Sequence, residues 1–493
     1  MRFKSLLTIL FIGYLFRLAY AEGVMQVPTA IQISSTVSDG RYSIAEIVDI
    51  AKKMGIKVIV LGDSFLSYWE YGILPLRRLI RKTLQANSIL KYGIERYLDE
   101  VQRVQRQNPE IIILPGAETA PFYYWKGSPF KNDFTLCDWH KHILVIGLEA
   151  PKDYKELPVI GNTSALFLPF SFKDLFNLWP FLALILGIFL IKKRCFNYRD
   201  SLGRKLGPYA KNYQISGIIF IILGLVFLIN NYPFLRTRFD PYHGEQGSLP
   251  YQHLIDYVNQ KGGLTFWAHP EEKNIKRFIE ASIQTPEHSE LLLKTQDYTG
   301  FGIFYAGYEK VGQAGGIWDT VLKQYCQAKR KNPVWAIGAL GFDSVGDLND
   351  YLKDLRNILL LPVLNKKEVL EALKRGRVYV IRGKNSEKFI LDDFSIEDNL
   401  SGIKKIMGEV LEVSDKFKIK IKGHLLTGES NLFKVRLIRD GLIIKDFLVN
   451  SPFEITYIDT LNNSERMSYY RIEIESEGLH LVANPIFVRA KDK

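Results

Sequence analysis

The chain of 493 residues is poor in the residues that several common chemistries need. It has three cysteines, Cys137, Cys195 and Cys326, none in a CxxC spacing, so a cysteine-built zinc site is excluded. Outside the cytoplasm a Cys137–Cys326 disulfide is one reading of them; free, partly buried thiols are the other. There are only eight histidines and no HExxH pair. A glycine-rich phosphate loop and a nucleophile elbow are also missing, which removes the common nucleotide-binding and serine-hydrolase rivals. So are RNP-like aromatic motifs, zinc fingers and basic recognition helices, and no nucleic-acid partner is expected. No internal repeat or low-complexity segment occurs.

What is abundant is apolar residues and local positive charge. An apolar fraction of 47% supplies ample core and argues against disorder, and the length calls for two or three domains. The net charge of +12 is concentrated: Lys192–Lys211 holds Lys192, Lys193, Arg194, Arg199, Arg204, Lys205 and Lys211 against Asp200 alone. At the N-terminus Arg2 and Lys4 precede the apolar run Leu6–Phe16. Ala19-Tyr20-Ala21 then offers a small-x-small cleavage site, so residues 1–21 read as a signal peptide. An uncleaved anchor is the alternative, although Arg17 ends the apolar run early.

Two further runs, Leu175–Ile191 and Tyr213–Asn231, contain no charged residue. Each approaches the roughly 17–25 residues that cross a hydrocarbon core. A pair of buried core helices is the competing reading. The positive-inside rule puts the basic loop in the cytoplasm and both flanks on the other side, where the signal peptide also directs them. The expectation is a transmembrane hairpin over residues 165–240, with the bulk of the protein extracytoplasmic, in the periplasm or on the cell surface.

Around that insert the pattern alternates strand and helix. Thr29–Ser34 is β-prone. Ser43 and Glu46 form a capping box, and Ile44, Ile47, Val48 and Ala51 make a helical stripe that ends at Gly55. Lys57–Leu61, Glu110–Leu114, His142–Leu148, Leu264–Trp267, Gly302–Tyr305, Val334–Ile337 and Val378–Ile381 read as strands. Leu74–Gln107, Leu249–Gln260, Trp318–Arg330 and Asn365–Arg375 read as helices. Strand, helix, strand with short connections predicts a parallel α/β sheet or barrel. From about Phe389 the period becomes two, as in Phe417-Ile419-Ile421 and Tyr470-Ile472-Ile474, which predicts an antiparallel β-sandwich. The domains expected are thus 22–164 and 241–385 as two parts of one barrel, and 386–493 as the sandwich.

In a parallel barrel, functional groups gather at the carboxyl ends of the strands. Those boundaries hold Gln32, Ser34, Asp63, Ser64, Glu118, His142, His269 and Asp343. Each has a bland reading as a loop or turn residue, but imidazoles and carboxylates collected together suit Zn²⁺, Mn²⁺ or Fe²⁺. Asp39 reads as an ordinary turn aspartate, His140 as a surface neighbour of His142, and His243, His253 and His288 as incidental.

The order of these residues resembles the polymerase and histidinol phosphatase (PHP) domain family. IQISSTVSDG (31–40) resembles its first motif, LGDS (61–64) the Thr-Asp-His motif, and LPGAE (114–118) the motif with a bridging Glu. His142 in HILVIG, His269 in FWAHP and Asp343 in AIGALGFDS match later motifs. The resemblance runs from about residue 28 to 383. It implies a distorted (β/α)7 barrel and phosphoester hydrolysis on a cluster of two or three metals. It also implies Asp63, Glu118, His142, His269 and Asp343 as the retained metal ligands. Where the family has histidines, this chain has Gln32, Ser34 and Ser64, and Gln and Ser are poor ligands for transition metals.

Two functional readings follow. One is a degenerate, membrane-anchored PHP-like pseudoenzyme that serves as a binding or scaffold module, with a phosphorylated small molecule or an envelope component as partner. The other is a divergent metal-dependent phosphoesterase with a reduced metal site.

Overall fold

The strand β1 (Met25–Ile33) starts the fold, and the chain returns to it at the end of the circuit. In this computed structural model the residues described are 24–131, 133–165, 176–192, 202, 209–232, 238–277, 282–384, 386–428, 430–461 and 466–491. The expected signal peptide, Cys195 and most of the expected basic loop lie outside them. Cys137 and Cys326 are free thiols.

After β1, the helix α1 (Ile44–Lys53) begins as its sequence demands. Ser43 Oγ accepts from the Glu46 amide at 3.3 Å, and Glu46 Oε2 accepts from the Ser43 amide at 2.8 Å. Ile44, Ile47, Val48 and Ala51 form its buried stripe. The strands that follow are β2 (Val58–Leu61), β3 (Asp63–Ser64), β4 (Ile112–Leu114), β5 (Gly116–Thr119), β6 (Ile143–Ile146), β7 (Leu264–Trp267), β8 (Gly300–Gly302), β9 (Trp335–Ile337) and β10 (Ala339–Phe342). The helices α2 (Ile94–Gln107), α3 (Leu249–Gln260) and α4 (Ile317–Cys326) lie between them in the chain.

Three of these strand pairs, β2/β3, β4/β5 and β9/β10, are single extended runs broken at one residue: Gly62, Pro115 and Gly338. At the break each run leaves one sheet and joins another. Pro115 has no amide to give a ladder. At Gly62 a side chain would press a Cβ to 2.9 Å from the Gln32 backbone, and at Gly338 to 2.7 Å from Val380. The buried Asn357 side chain replaces the lost ladder at Gly338, accepting from its amide at 2.7 Å and donating to its carbonyl at 2.8 Å.

The pairings therefore form a closed circuit of seven runs. β1 pairs with β2, β2 with β4, β3 with β5, β5 with β6, β6 with β7, β7 with β8, β8 with β9, and β10 with β1. Val58, Val60, Leu114, Leu144, Ile146, Leu264, Phe266 and Ile337 fill one core cluster with Ile31. The expectation of parallel strands is corrected at one place. β6 is antiparallel to both of its neighbours, with Leu144 opposite Glu118 and Ile143 opposite Trp267. The strand expected at Gly302–Tyr305 lies instead at Gly300–Gly302.

Beyond the circuit, β11 (Leu355–Leu361) pairs with the outer part of β1, and the helix α5 (Lys366–Arg375) leads to β12 (Val378–Arg382). β12 then pairs with Leu479–Ala483, so a single sheet runs from the circuit into the C-terminal strands. A second sheet, Phe389–Asp398, Lys404–Ile406, Lys416–Leu425 and Phe453–Thr460, contributes to the same apolar cluster. There Phe394, Ile396, Ile419 and Ile421 join Val435, Leu437, Ile472 and Ile474. The alternation in the sequence marked Ile419, Ile421, Ile472 and Ile474 as inward, although Arg471 and Glu473 between the last of them are buried as well.

The chain divides into two compact units. One holds the circuit and the C-terminal strands; the other is residues 67–86 with 158–240. In the second unit the helices Trp179–Lys192 and Tyr209–Asn231 touch through Gly187 and Gly217. A Cβ on either glycine would stand 2.7 Å from the carbonyl oxygen of the other. Among the described residues one helical stretch, Tyr213–Asn231, is long and apolar enough to cross a membrane; Phe176–Lys192 is shorter. The helix expected over Leu74–Gln107 is corrected: Tyr68–Gly72 and Arg81–Gln85 form an antiparallel hairpin, and helix resumes at Ile89–Tyr92 and Ile94–Gln107. Helix starts only where Ser88 caps it, its Oγ accepting from the Lys91 amide at 3.4 Å.

The circuit and the C-terminal layer are joined by Arg471, whose side chain is wholly buried. It holds Asp319 on α4 through Nε at 2.9 Å and Nη2 at 2.8 Å, holds Glu473 at 2.6 Å, and lies over the Trp318 ring. Replacing it leaves the buried Asp319 without its counter-charge, while Glu473 keeps Arg436 at 3.4 Å. Arg471→Met should lower stability by about 3–5 kcal/mol, measured as a fall in the thermal midpoint of the detergent-solubilised chain.

Candidate metal centre

The reversal of β6 brings the site together. In a parallel run His142, which precedes its strand, would sit at the opposite end from the residues that follow theirs. Because β6 runs backwards, its start lies beside Glu118 on β5 and beside the end of β7. The Ala268 amide donates to the His142 carbonyl at 3.1 Å, so His269 leaves β7 next to His142.

Three atoms then meet. Glu118 Oε1 is 2.8 Å from His142 Nδ1 and 3.5 Å from His269 Nε2, and the two nitrogens are 3.2 Å apart. A tetrahedral ion with bonds of about 2.0–2.1 Å spaces its ligand atoms roughly 3.3 Å apart. This triangle fits one face of such a polyhedron. The side chains are 13%, 21% and 3% exposed in that order, so the donors are largely shielded from water.

Burial would raise the Glu118 carboxyl, but the imidazoles of His142 and His269 outweigh it and hold the group well below the usual range. Burial pulls His142 down, and the Glu118 charge more than reverses that.

His140 and Glu272 complete the surroundings. The sequence placed His140 at the surface; in the structure it stacks on His269, with ring centroids 4.5 Å apart and planes inclined by 24°. Glu272 Oε2 stands 3.2 Å from His140 Nε2 and 3.2 Å from His269 Nδ1. The three imidazoles each bring one nitrogen within 4.8 Å of the others. Nearly parallel rings direct their in-plane lone pairs side by side, however, so His140 and His269 do not converge well on one ion. Glu118 makes the better third ligand, with His140 and Glu272 bracing His269. Burial, with His142 beside it, lowers His140 to about 4, which keeps that ring neutral. Glu272 is three residues past His269 in His269-Pro270-Glu271-Glu272. That acid beside a candidate ligand was a readable signal that sequence reasoning missed.

The remaining expected ligands are engaged elsewhere. Asp63 is fully buried, and its Oδ1 accepts from the Ser35 amide at 2.7 Å, Ser35 Oγ at 2.9 Å and Ser38 Oγ at 2.8 Å. It organises the loop after β1. Asp343 Oδ1 accepts from the Val345 amide at 2.8 Å, closing its own turn. Its charge is felt at Tyr305, which packs edge-on against His269 and whose phenol is pushed up to about 12 by burial, Glu272, Glu118 and Asp343. Ser34 Oγ donates to the Gly62 carbonyl at 3.2 Å. Gln32 forms a bulge between Ile31 and Ile33 at φ 68°, a left-handed conformation uncommon for a non-glycine residue. His288, read as incidental, is buried against Trp267 and His269, and burial depresses its pKa well below the ordinary value.

The chain matches no family model and no curated protein. Among solved structures it is similar to a two-domain protein from Bacteroides vulgatus, described as containing a PHP-like metal-dependent phosphoesterase. Identity is 10%, with 92% of this chain and 91% of that one covered, at a TM-score of 0.34. It is also similar to a chain from Bifidobacterium adolescentis assigned as a metal-dependent phosphoesterase. Identity is 12%, with 66% of this chain and 91% of that one covered, at a TM-score of 0.28.

Burial raises the Asp63 carboxyl to about 6, against an ordinary 3.8. The folded state therefore holds the proton more tightly than the unfolded chain. The associated stability is complete below about pH 4 and is lost as pH rises through about 6. Asp63→Asn removes this dependence. Its stability relative to the unsubstituted protein should rise by up to about 3 kcal/mol between pH 4 and pH 7, read from thermal melts at the two pH values.

Proposed function

We propose that the chain is a membrane-anchored, extracytoplasmic PHP-like protein. On this reading the seven-run circuit is a distorted (β/α)7 barrel, and its rim binds one divalent cation and, through it, a phosphorylated small molecule or envelope component. The observation that carries the proposal is the triangle of Glu118 Oε1, His142 Nδ1 and His269 Nε2, with sides of 2.8, 3.2 and 3.5 Å. A bound Zn²⁺, Mn²⁺ or Fe²⁺ would supply a Lewis acid for a phosphate oxygen. Glu118, already ionised in its pair, brings negative charge to the site. Glu272 Oε2, 3.2 Å from His269 Nδ1, sets an acid on the side of the ring away from Nε2, the nitrogen that faces Glu118 and His142.

A binding role is favoured over turnover by the state of the neighbouring corner. Asp63 is taken up by the Ser35–Ser38 loop, Ser34 by the Gly62 carbonyl, and Gln32 replaces an imidazole. Little remains there to hold a second ion. Hydrolysis on a reduced site is the second reading, favoured by the count of three protein ligands, which leaves room for a ligand from outside.

Elemental analysis of the full chain in mild detergent should find one divalent ion per chain. The ion should be lost in Glu118→Ala and in His269→Ala. Metal retained without turnover of phosphomonoesters or phosphodiesters supports the binding module. Turnover that disappears with Glu118→Ala favours the phosphoesterase. If no ion binds when Mn²⁺ or Zn²⁺ is supplied, both are wrong.

A further inference from the structure

The hairpin Tyr68–Gly72/Arg81–Gln85 belongs to the same compact unit as the apolar helices. Its composition is that of neither a core strand nor an ordinary soluble loop. Residues 67–86 hold Arg77, Arg78, Arg81 and Lys82 against Glu70 alone, which Arg81 meets at 2.7 Å on the hairpin's surface. Between and beside them, Leu74, Leu79, Ile80 and Leu84 are 67%, 45%, 52% and 46% exposed. Cationic and large apolar side chains on one exposed turn are the pairing that suits the boundary between lipid headgroups and acyl chains.

The turn is also held at a definite place. The Arg78 guanidinium donates to the carbonyls of Asn231 at 3.3 Å and Tyr232 at 2.9 Å, and the Arg78 amide donates to Asn230 Oδ1 at 3.1 Å. Asn231 Nδ2 in turn donates to the Asn177 carbonyl at 3.2 Å. These polar groups lie where the apolar run Tyr213–Asn231 ends, and they supply partners for carbonyls that the end of a helix leaves open. A cation there also complements the negative end of the helix dipole. The level at which the helix would leave the hydrocarbon is thus the level at which the hairpin is attached.

We propose that this hairpin is a lipid-binding element. Leu74, Leu79 and Ile80 enter the headgroup layer of the leaflet at the C-terminal end of Tyr213–Asn231, and Arg81 and Lys82 engage the phosphates of anionic phospholipids. The proposal rests on the membrane anchoring proposed above. Its occupant is argued from charge complementarity and from continuity with the apolar helix.

The unaltered chain tests it directly in proteoliposomes that contain a photoactivatable phosphatidylglycerol. Cross-links are expected on peptides from residues 67–86 as well as on those from residues 213–231. Cross-links on 213–231 with none on 67–86 would overturn the hairpin proposal and leave the anchor standing. If an alkaline carbonate wash releases the chain from the vesicles, the anchoring fails first. The double substitution Arg81→Glu and Lys82→Glu spares the Arg78 attachment. It should abolish the excess of hairpin cross-links seen with phosphatidylglycerol over an equally photoactivatable phosphatidylcholine. Equal labelling by the two lipids in the unsubstituted chain would overturn the assignment of headgroup charge.

Discussion

One strand running against its neighbours sets where this protein can do chemistry. β6 lies antiparallel between β5 and β7, and its first residues, not its last, share an edge with Glu118 and His269. The hydrogen bond from the Ala268 amide to the His142 carbonyl then carries that register one step past the strand ends, so backbone bonding decides which side chains meet. Had β6 been parallel, the same residues would stand at opposite ends of the sheet. The single-residue breaks at Gly62, Pro115 and Gly338 serve the same end, since they let continuous runs turn from one sheet into the next without surrendering a buried polar group unanswered.

The corner at the end of β1, where Gln32, Ser34 and Asp63 stand, is filled with hydrogen bonds. Asp63 is a buried carboxylate in need of donors, and an amide and two hydroxyls from Ser35 and Ser38 provide them. On the other side of His269, Glu272 and a stacked neutral His140 fix the ring. The site is asymmetric as a result: rigid and braced around His269, and closed off around β1. The bulge at Gln32 keeps a strained conformation within that closed corner.

Much of this was legible in the residues. The capping box at Ser43 and Glu46, the stripe of α1, most strand positions and the inward faces of the C-terminal strands followed from periodicity alone. Glu118, His142 and His269 were identifiable because they stand at strand boundaries, and the structure brings those three together. The direction of β6 was not legible, because a short apolar run has no polarity of its own. Periodicity also misjudged Leu74–Gln85, where basic and apolar residues alternate loosely enough to pass for a helix face, although Arg81–Gln85 pairs with Tyr68–Gly72 as a hairpin. His140 was hidden for another reason. Its role depends on a stacking contact across the site, which spacing in the chain does not express, whereas Glu272, three residues past His269, was within reach of a reading by spacing.

The burial of Arg471 has a consequence for where this chain can be divided. Its guanidinium satisfies Asp319 on one side and Glu473 on the other, while β12 shares its ladder with Leu479–Ala483. A boundary drawn near residue 385 follows the change in sequence period, and the ladder and the buried ion pair both cross it. Cutting the chain at that point would expose a sheet edge and strand Asp319 without its cation. The C-terminal layer is therefore less a passenger than a wall of the same room.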